Sequence, residues 1–310
     1  MVFKFFLIAL VSGGIALIGM ESQEFNKEDL KIFFGSQEKL NEVVAKYAST
    51  LYQKMNSRPC WPTISKSIST TSNMWQEESA YHDSPIFEIK SKYVVFRLNA
   101  GEKPYEALCD FFNKREIIEC AIALHIVEHL ILGKIIGEQL FNKIYAGEFL
   151  LPSTNGRGLE HMGYGIPTTP GHFGYIPNIK EYPQWHPRGT ARGENVFCVS
   201  NDGIPLYAGF GKFFADGPKT KEEIVEYLYL KLCEAPLVKK SMDQRKNQFN
   251  PEEIYTDWKE KREELQKQCP ILCLSLNRLV QEKLLIVYND KYTNRFPQWA
   301  KTTKLPQKLK

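Results

Sequence analysis

The sequence predicts an α+β domain in which one apolar helix packs on a small antiparallel sheet, with further helices around it. Three observations predict this. The run Ile117-Ile-Glu-Cys120-Ala-Ile-Ala-Leu-His125-Ile-Val-Glu-His129-Leu-Ile-Leu132 is apolar on nearly every side, as a buried helix is. Glu194 to Ser200 and Ile204 to Phe210 are strand-like segments that flank the turn Asn201-Asp-Gly203, a hairpin signal. Residues 86 to 98 are rich in β-branched and aromatic side chains, ending in Tyr93-Val-Val-Phe-Arg-Leu98. Strand, helix and antiparallel hairpin in that order suit a helix packed on a sheet.

At the N-terminus Lys4 precedes an apolar stretch from Phe5 to Met20. A positive start and a short apolar run predict an export signal, and the stretch is short for a span of about 20 residues. Residues 1–20 are therefore expected to be a signal peptide or an N-terminal anchor, and the protein to be exported (periplasmic, cell surface or secreted). Membrane contact is expected only through that segment if it stays uncleaved.

Asn26 to Tyr52 reads as one helix, with Leu30, Ile32, Phe33, Leu40, Val43, Val44, Tyr47 and Leu51 as its apolar positions. The proline-bearing stretch from Ser57 to Ser72 reads as a loop. Pro104 opens a short helix, since proline suits a first turn. The Cys120 helix is expected from about residue 116 to Tyr145. Residues 151 to 192 form a Gly-, Pro- and aromatic-rich segment, expected to be a functional loop or a set of short strands. Thr220 and Glu223 form a capping-box pair ahead of a helix from Lys221 to Cys233. Residues 251 to 282 read as helical, charged first and apolar later.

The chain has 310 residues, 43% hydrophobic and 25% charged, with a net charge of +4. That balance, with no basic cluster interleaved with aromatics, argues against a nucleic-acid partner. The basic stretch Lys301 to Lys310 reads as a solvated tail. Seven cysteines, at 60, 109, 120, 198, 233, 269 and 273, are too sparse for a disulfide scaffold, and the absence of CxxC argues against a thiolate zinc site. No P-loop, dinucleotide-binding glycine string or serine elbow occurs.

Two constellations carry chemistry. The first is Cys120, whose place in the first turn of a helix favours the thiolate. A cysteine nucleophile needs a base and donors for the oxyanion. Glu194 is the titratable residue suitably placed on the hairpin, which carries no histidine; His161, His172 and His186 lie in loops or strands before it. Glu119, beside the thiol, either opposes its ionisation or handles a proton. The competing reading of Cys120 is an inert core residue. The second constellation is His125-Ile-Val-Glu128-His129. Histidines four apart share a helix face and can bind one zinc ion with the glutamate as base, which would make a metallopeptidase. The competing reading puts these three residues on the less buried side of the central helix. Cys120 and His125 are about 140° apart around the helix, so one site could not use both.

Phe96-Arg-Leu-Asn-Ala-Gly-Glu-Lys-Pro-Tyr-Glu-Ala-Leu-Cys-Asp-Phe-Phe112, Glu119-Cys-Ala-Ile-Ala123, Gly193-Glu-Asn-Val196 and Leu206-Tyr-Ala-Gly-Phe-Gly211 follow one another in an order and spacing that resemble the bacterial protein-glutamine gamma-glutamyltransferases of the spore-coat type. The resemblance implies a papain/NlpC-like fold, which residues 21–235 are read as forming as the catalytic domain; the helical C-terminal extension read over residues 236–310 departs from the family, as does the export signal. It implies Cys120 as nucleophile, Glu194 as its base or orienting partner and Glu119 as a second carboxylate able to substitute. It implies protein substrates bearing glutamine and lysine, and neither cofactor nor metal. The chain departs from the family at Tyr207-Ala-Gly209, where a Gly-His-Gly is usual. Trp185, Tyr175 and Tyr207, with Tyr182, are expected either to line an apolar path for the lysine stem or to be packing aromatics. A third reading is an inactive papain-like module serving as a binding or structural protein.

Overall fold

The structure is a computed structural model that describes residues 30–57, 73–84, 89–113, 120–146, 149–151, 156–186, 189, 191–234 and 251–288. The expected signal or anchor, the loop after Ser57 and Glu119 lie outside the described residues.

The expected α+β architecture is the one observed. Strand β1 (Lys31–Phe34) leads into helix α1 (Gln37–Asn56), then β2 (Trp75–Ser84), β3 (Ile89–Leu98), α2 (Pro104–Asn113), α3 (Cys120–Ile136), α4 (Glu138–Ile144) and β4 (Leu150–Leu151). There follow β5 (Leu159–Tyr164), β6 (Phe173–Pro177), α5 (Tyr182–Trp185), β7 (Gly193–Asn201), β8 (Pro205–Gly209), β9 (Lys219–Thr220) and α6 (Lys221–Cys233). The last elements are α7 (Pro251–Gln266), β10 (Pro270–Leu274), α8 (Leu276–Gln281) and β11 (Leu285–Tyr288).

The main sheet has six strands in the order β5-β10-β6-β7-β8-β9, with antiparallel neighbours. The strands β2, β3 and β4 make a separate three-stranded sheet, and β1 pairs with β11 in parallel. Side chains alternate along a strand, and β7 shows it clearly. Phe197 joins a core with α1 and α3, while Val196 and Cys198 join a second core with α6 and α7. The sheet is thus covered on both faces. Helix α3 is buried almost all round, as its composition requires, and each fully buried Leu or Ile contributes about 1.5–3 kcal/mol. No single described helix is long and apolar enough to cross a membrane.

Four expectations need correction. The helix predicted from Asn26 begins only at Gln37. Ser36 caps it, its side chain accepting from the Lys39 amide, and the residues before it are drawn into β1 by pairing with β11. Polar strand β2 was not expected, because its Gln-Glu-Glu-Ser stretch lacks an apolar alternation; its partner β3 supplies the pairing. The central helix does not run unbroken to Tyr145. Gly137 adopts φ 97°, a conformation that favours glycine, and α4 leaves at 119° to α3. The segment after residue 235 is not helical throughout. Pro270-Ile-Leu-Cys-Leu274, a short apolar run that periodicity alone cannot assign, inserts between β5 and β6.

That insertion matters for the site, because it joins the C-terminal segment to the sheet that carries Glu194. Gln266 at the end of α7 donates to the carbonyls of Gly165 (2.7 Å) and Tyr175 (3.0 Å). Asn178, fully buried after β6, donates to the carbonyls of Ala191 (3.0 Å) and Leu228 (2.9 Å) and accepts from the Trp258 indole (2.8 Å). One amide therefore ties the approach to β7 to α6 and α7. Asn178→Ala would strand an indole N–H and two carbonyls, and is expected to cost at least about 3 kcal/mol. Urea denaturation should show a lower midpoint; an unchanged midpoint would refute this role.

Candidate active site

Cys120 opens α3 and remains partly exposed, whereas the rest of the helix sinks into the core. A sulfur in the first turn lies near backbone N–H groups that have no partner within the helix. Across from it, Asn195 of β7 donates from Nδ2 to the Cys120 sulfur at 3.3 Å. Strand alternation explains this contact. Asn195 has the parity of Phe197, which packs on the α1 and α3 side.

Glu194, the preceding residue, is buried at 7% exposure. Burial disfavours its charged form and pushes its pKa up to about 8. By alternation it belongs to the other face, yet it sits near the end of β7 and its charge reaches both sides. The hydroxyls of Tyr52 on α1, Tyr175 on β6 and Tyr227 on α6 each feel Glu194 and Cys120 together. Glu194 directly precedes Asn195, the residue that touches the sulfur. Tyr52 and Tyr175 are held well above the ordinary phenol range, chiefly by burial. The Tyr52 hydroxyl is buried and has no hydrogen-bond partner among the described residues.

Gly193 has a steric reason to precede Glu194. A Cβ there would lie 2.4 Å from the Tyr175 ring and 2.6 Å from the Ile176 carbonyl. Gly193→Ala must push Tyr175 and β6 away, at a cost of about 1–3 kcal/mol. A fall in melting temperature with a disproportionate loss of turnover is the expected result. Wild-type values for both would refute the packing argument.

The other expected residues fall as follows. Tyr175 lies at the site. Tyr207 is 1% exposed and packs in the second core beside Cys198, out of reach of a substrate chain. Tyr182 is buried and stacks on His186. The side chain of Trp185 lies outside the described residues. As for a substitute for the family's histidine, His161 packs on Tyr164 of the outer strand β5, His186 binds the Leu232 carbonyl through Nε2 at 2.9 Å, and His172 is buried just before β6. Among the described residues Cys109, Cys198, Cys269 and Cys273 are free cysteines.

His125, Glu128 and His129 do not lie on a less buried side of α3; all three are at most 2% exposed. The apolar helix leaves them no solvent face. A peptide could not reach a metal held there, which removes the metallopeptidase reading.

Sequence reasoning missed Asn195 and Tyr52. Asn195 stood inside the Gly193-Glu-Asn-Val196 motif, and its signal was that it is the amide donor next to the acid. Tyr52 gave no signal, since only the packing of α1 against β7 brings it in.

A reachable sulfur at a helix head, gripped by an amide and close to a buried acid, suits acyl transfer through a thioester. The chain belongs to the protein-glutamine gamma-glutamyltransferase family, whose model matches residues 39–254, more than half of its length. It is an acyltransferase acting on glutamine and lysine side chains of proteins. Among solved structures it is similar to a transglutaminase from Geobacillus stearothermophilus (without C-terminal extension), at 20% identity over 63% of this chain and 84% of that chain, with a TM-score of 0.44. No curated protein matches the chain.

Proposed function

We propose that Cys120 is the nucleophile, that Glu194 is its proton partner and that Asn195 positions the sulfur, the outcome being Gln–Lys isopeptide cross-linking of proteins. The observation that carries this is the 3.3 Å contact from Asn195 to the sulfur, next to an acid whose burial raises its pKa to about 8. An acid–base group works best when its pKa lies near the operating pH. Glu194 takes the thiol proton as the sulfur attacks the glutamine carboxamide carbon. A tetrahedral adduct forms, its oxyanion facing the first N–H groups of α3. The C–N bond breaks, the nitrogen takes the proton, and ammonia leaves a thioester on Cys120. A lysine amine then attacks the thioester carbon and gives up a proton to the carboxylate. The C–S bond breaks and the thiol is restored. Water in place of the amine yields glutamate, so deamidation is the side reaction.

Glu119 adjoins Cys120 in sequence and is proposed as the carboxylate that substitutes when Glu194 is lost. The buried Tyr175 is proposed to border the lysine entrance. The charged start and apolar run of residues 1–20 support an exported protein that acts outside the cytoplasm.

The test is incorporation of a fluorescent amine into a glutamine-rich protein. The wild type is expected to label it, Cys120→Ala to fail, and Glu194→Gln to label it about 10²- to 10⁴-fold more slowly, the remaining activity running through Glu119. Isopeptide-linked peptides found by mass spectrometry after incubation with a lysine-bearing protein distinguish cross-linking from deamidation. Labelling by Cys120→Ala at the wild-type rate would end the proposal.

A further inference from the structure

His125, Glu128 and His129 take no part in the thiol chemistry, yet α3 brings them together in the core. Their candidate ligand atoms all lie within 4.8 Å of one another, and all three residues are buried. Buried polar groups in native proteins are nearly always partnered. Here His125 Nδ1, His125 Nε2 and His129 Nε2 are buried without a hydrogen bond among the described residues. His125 Nδ1 stands 3.4 Å from a Glu128 oxygen. His129 Nδ1 meets the His125 carbonyl at 2.7 Å. A carbonyl can only accept, so Nδ1 carries the proton and Nε2 is left with its lone pair. A ring nitrogen committed to a carbonyl with the other one open is the usual state of a metal-binding histidine. Phe141, Tyr145 and Phe149 set their rings against His129 at centroid distances of 6.2, 5.4 and 5.1 Å and hold it in place.

We propose that His125, Glu128 and His129 form a buried structural site for a divalent transition-metal ion of the zinc class. Two imidazoles and one carboxylate suit zinc and disfavour magnesium or calcium, which take oxygen ligands. Tetrahedral zinc with bonds of about 2.0–2.1 Å sets its donors about 3.4 Å apart. Donors now within 4.8 Å of one another reach that spacing by modest side-chain rotation. Zinc against one carboxylate leaves a positive charge that a bound hydroxide, as the fourth ligand, balances. Burial means that the ion enters during folding and leaves only on unfolding. The site is separate from the thiol reaction and does not rest on the roles given to Cys120 and Glu194.

The test uses the full chain, purified without chelator, with metal content measured by elemental mass spectrometry. The chain is then unfolded with chelator and refolded with zinc, with cobalt or with neither. The expected results are one zinc per chain as purified, a melting temperature lower by roughly 10 °C after metal-free refolding, and visible d–d bands after cobalt refolding. The double variant His125→Phe/His129→Phe, whose rings suit the aromatic surroundings, is expected to bind neither metal. Metal-free protein as purified, with a melting temperature unmoved by zinc and no cobalt bands, overturns the proposal. So does zinc retained in the double variant. If that variant does not fold, the wild-type refolding series decides the matter alone.

Discussion

Replacing Cys120 with alanine is expected to lower amine incorporation at least about 10³-fold, the scale on which loss of a covalent nucleophile acts. Stability should change by no more than about 1 kcal/mol, because the side chain is partly exposed and supports little of the core. Iodoacetamide should inactivate the wild type by alkylating the same sulfur. Cys109 and Cys233 are also partly exposed, so the Cys120→Ala variant serves as the control for labelling elsewhere. Peptide mapping should place the activity-linked adduct on Cys120. A Cys120→Ala protein that retains wild-type transfer would show that another group forms the acyl intermediate. Cys198, Cys269 and Cys273 are poor substitutes, since burial raises their pKa to about 11, 12 and 12.

Glu194→Gln is expected to separate activity from stability. Glutamine keeps the shape and removes the proton transfer, so turnover should fall about 10²- to 10⁴-fold. Stability should move the other way. In the folded chain Glu194 holds its proton up to about pH 8, whereas the unfolded chain releases it near the ordinary glutamate value of 4.5. Between those values the folded state binds one more proton than the unfolded state. Its stabilising contribution is complete below the unfolded pKa and is lost as pH rises, by up to about 1.4 kcal/mol per pH unit, levelling off above the folded pKa. The variant lacks this loss, so it should be more stable than wild type at pH 8, with the advantage shrinking as pH falls toward 4.5. The acid limb of wild-type kcat/KM should lie near pH 8 and vanish in the variant's residual activity. Equal activity, or parallel stability profiles, would remove Glu194 from the role assigned to it.

Most of the residues proposed for the thiol site stand in short local motifs. A cysteine at the head of an apolar helix and a Gly-Glu-Asn-Val strand each announce themselves within a few residues. Thr220 with Glu223 is equally local, and both halves of that capping box form as the spacing predicts. What could not be read depends on partners far away in the chain. The polar strand β2 takes its identity from β3, and β1 from β11, more than 250 residues later. The short apolar run at residues 270–274 has no periodicity of its own, and its neighbours in the sheet decided that it is a strand. Exposure was the other failure. Three titratable residues on α3 looked as though they needed solvent, but the helix is buried almost all round and they are enclosed.

By itself the sequence determined the apolar helix, the hairpin, the Thr220 capping box and the types of reactive group, because propensity and periodicity act over a handful of neighbours. The tertiary structure alone decided which groups meet. Asn195 rather than Glu194 touches the sulfur because side chains on a strand alternate. Glu194 becomes an acid that holds its proton because the protein around it excludes water. Helix spacing sets His125, Glu128 and His129 on one face, and packing around α3 buries that face. Burial and long-range register are properties of the assembled layers, and no window of the chain contains them.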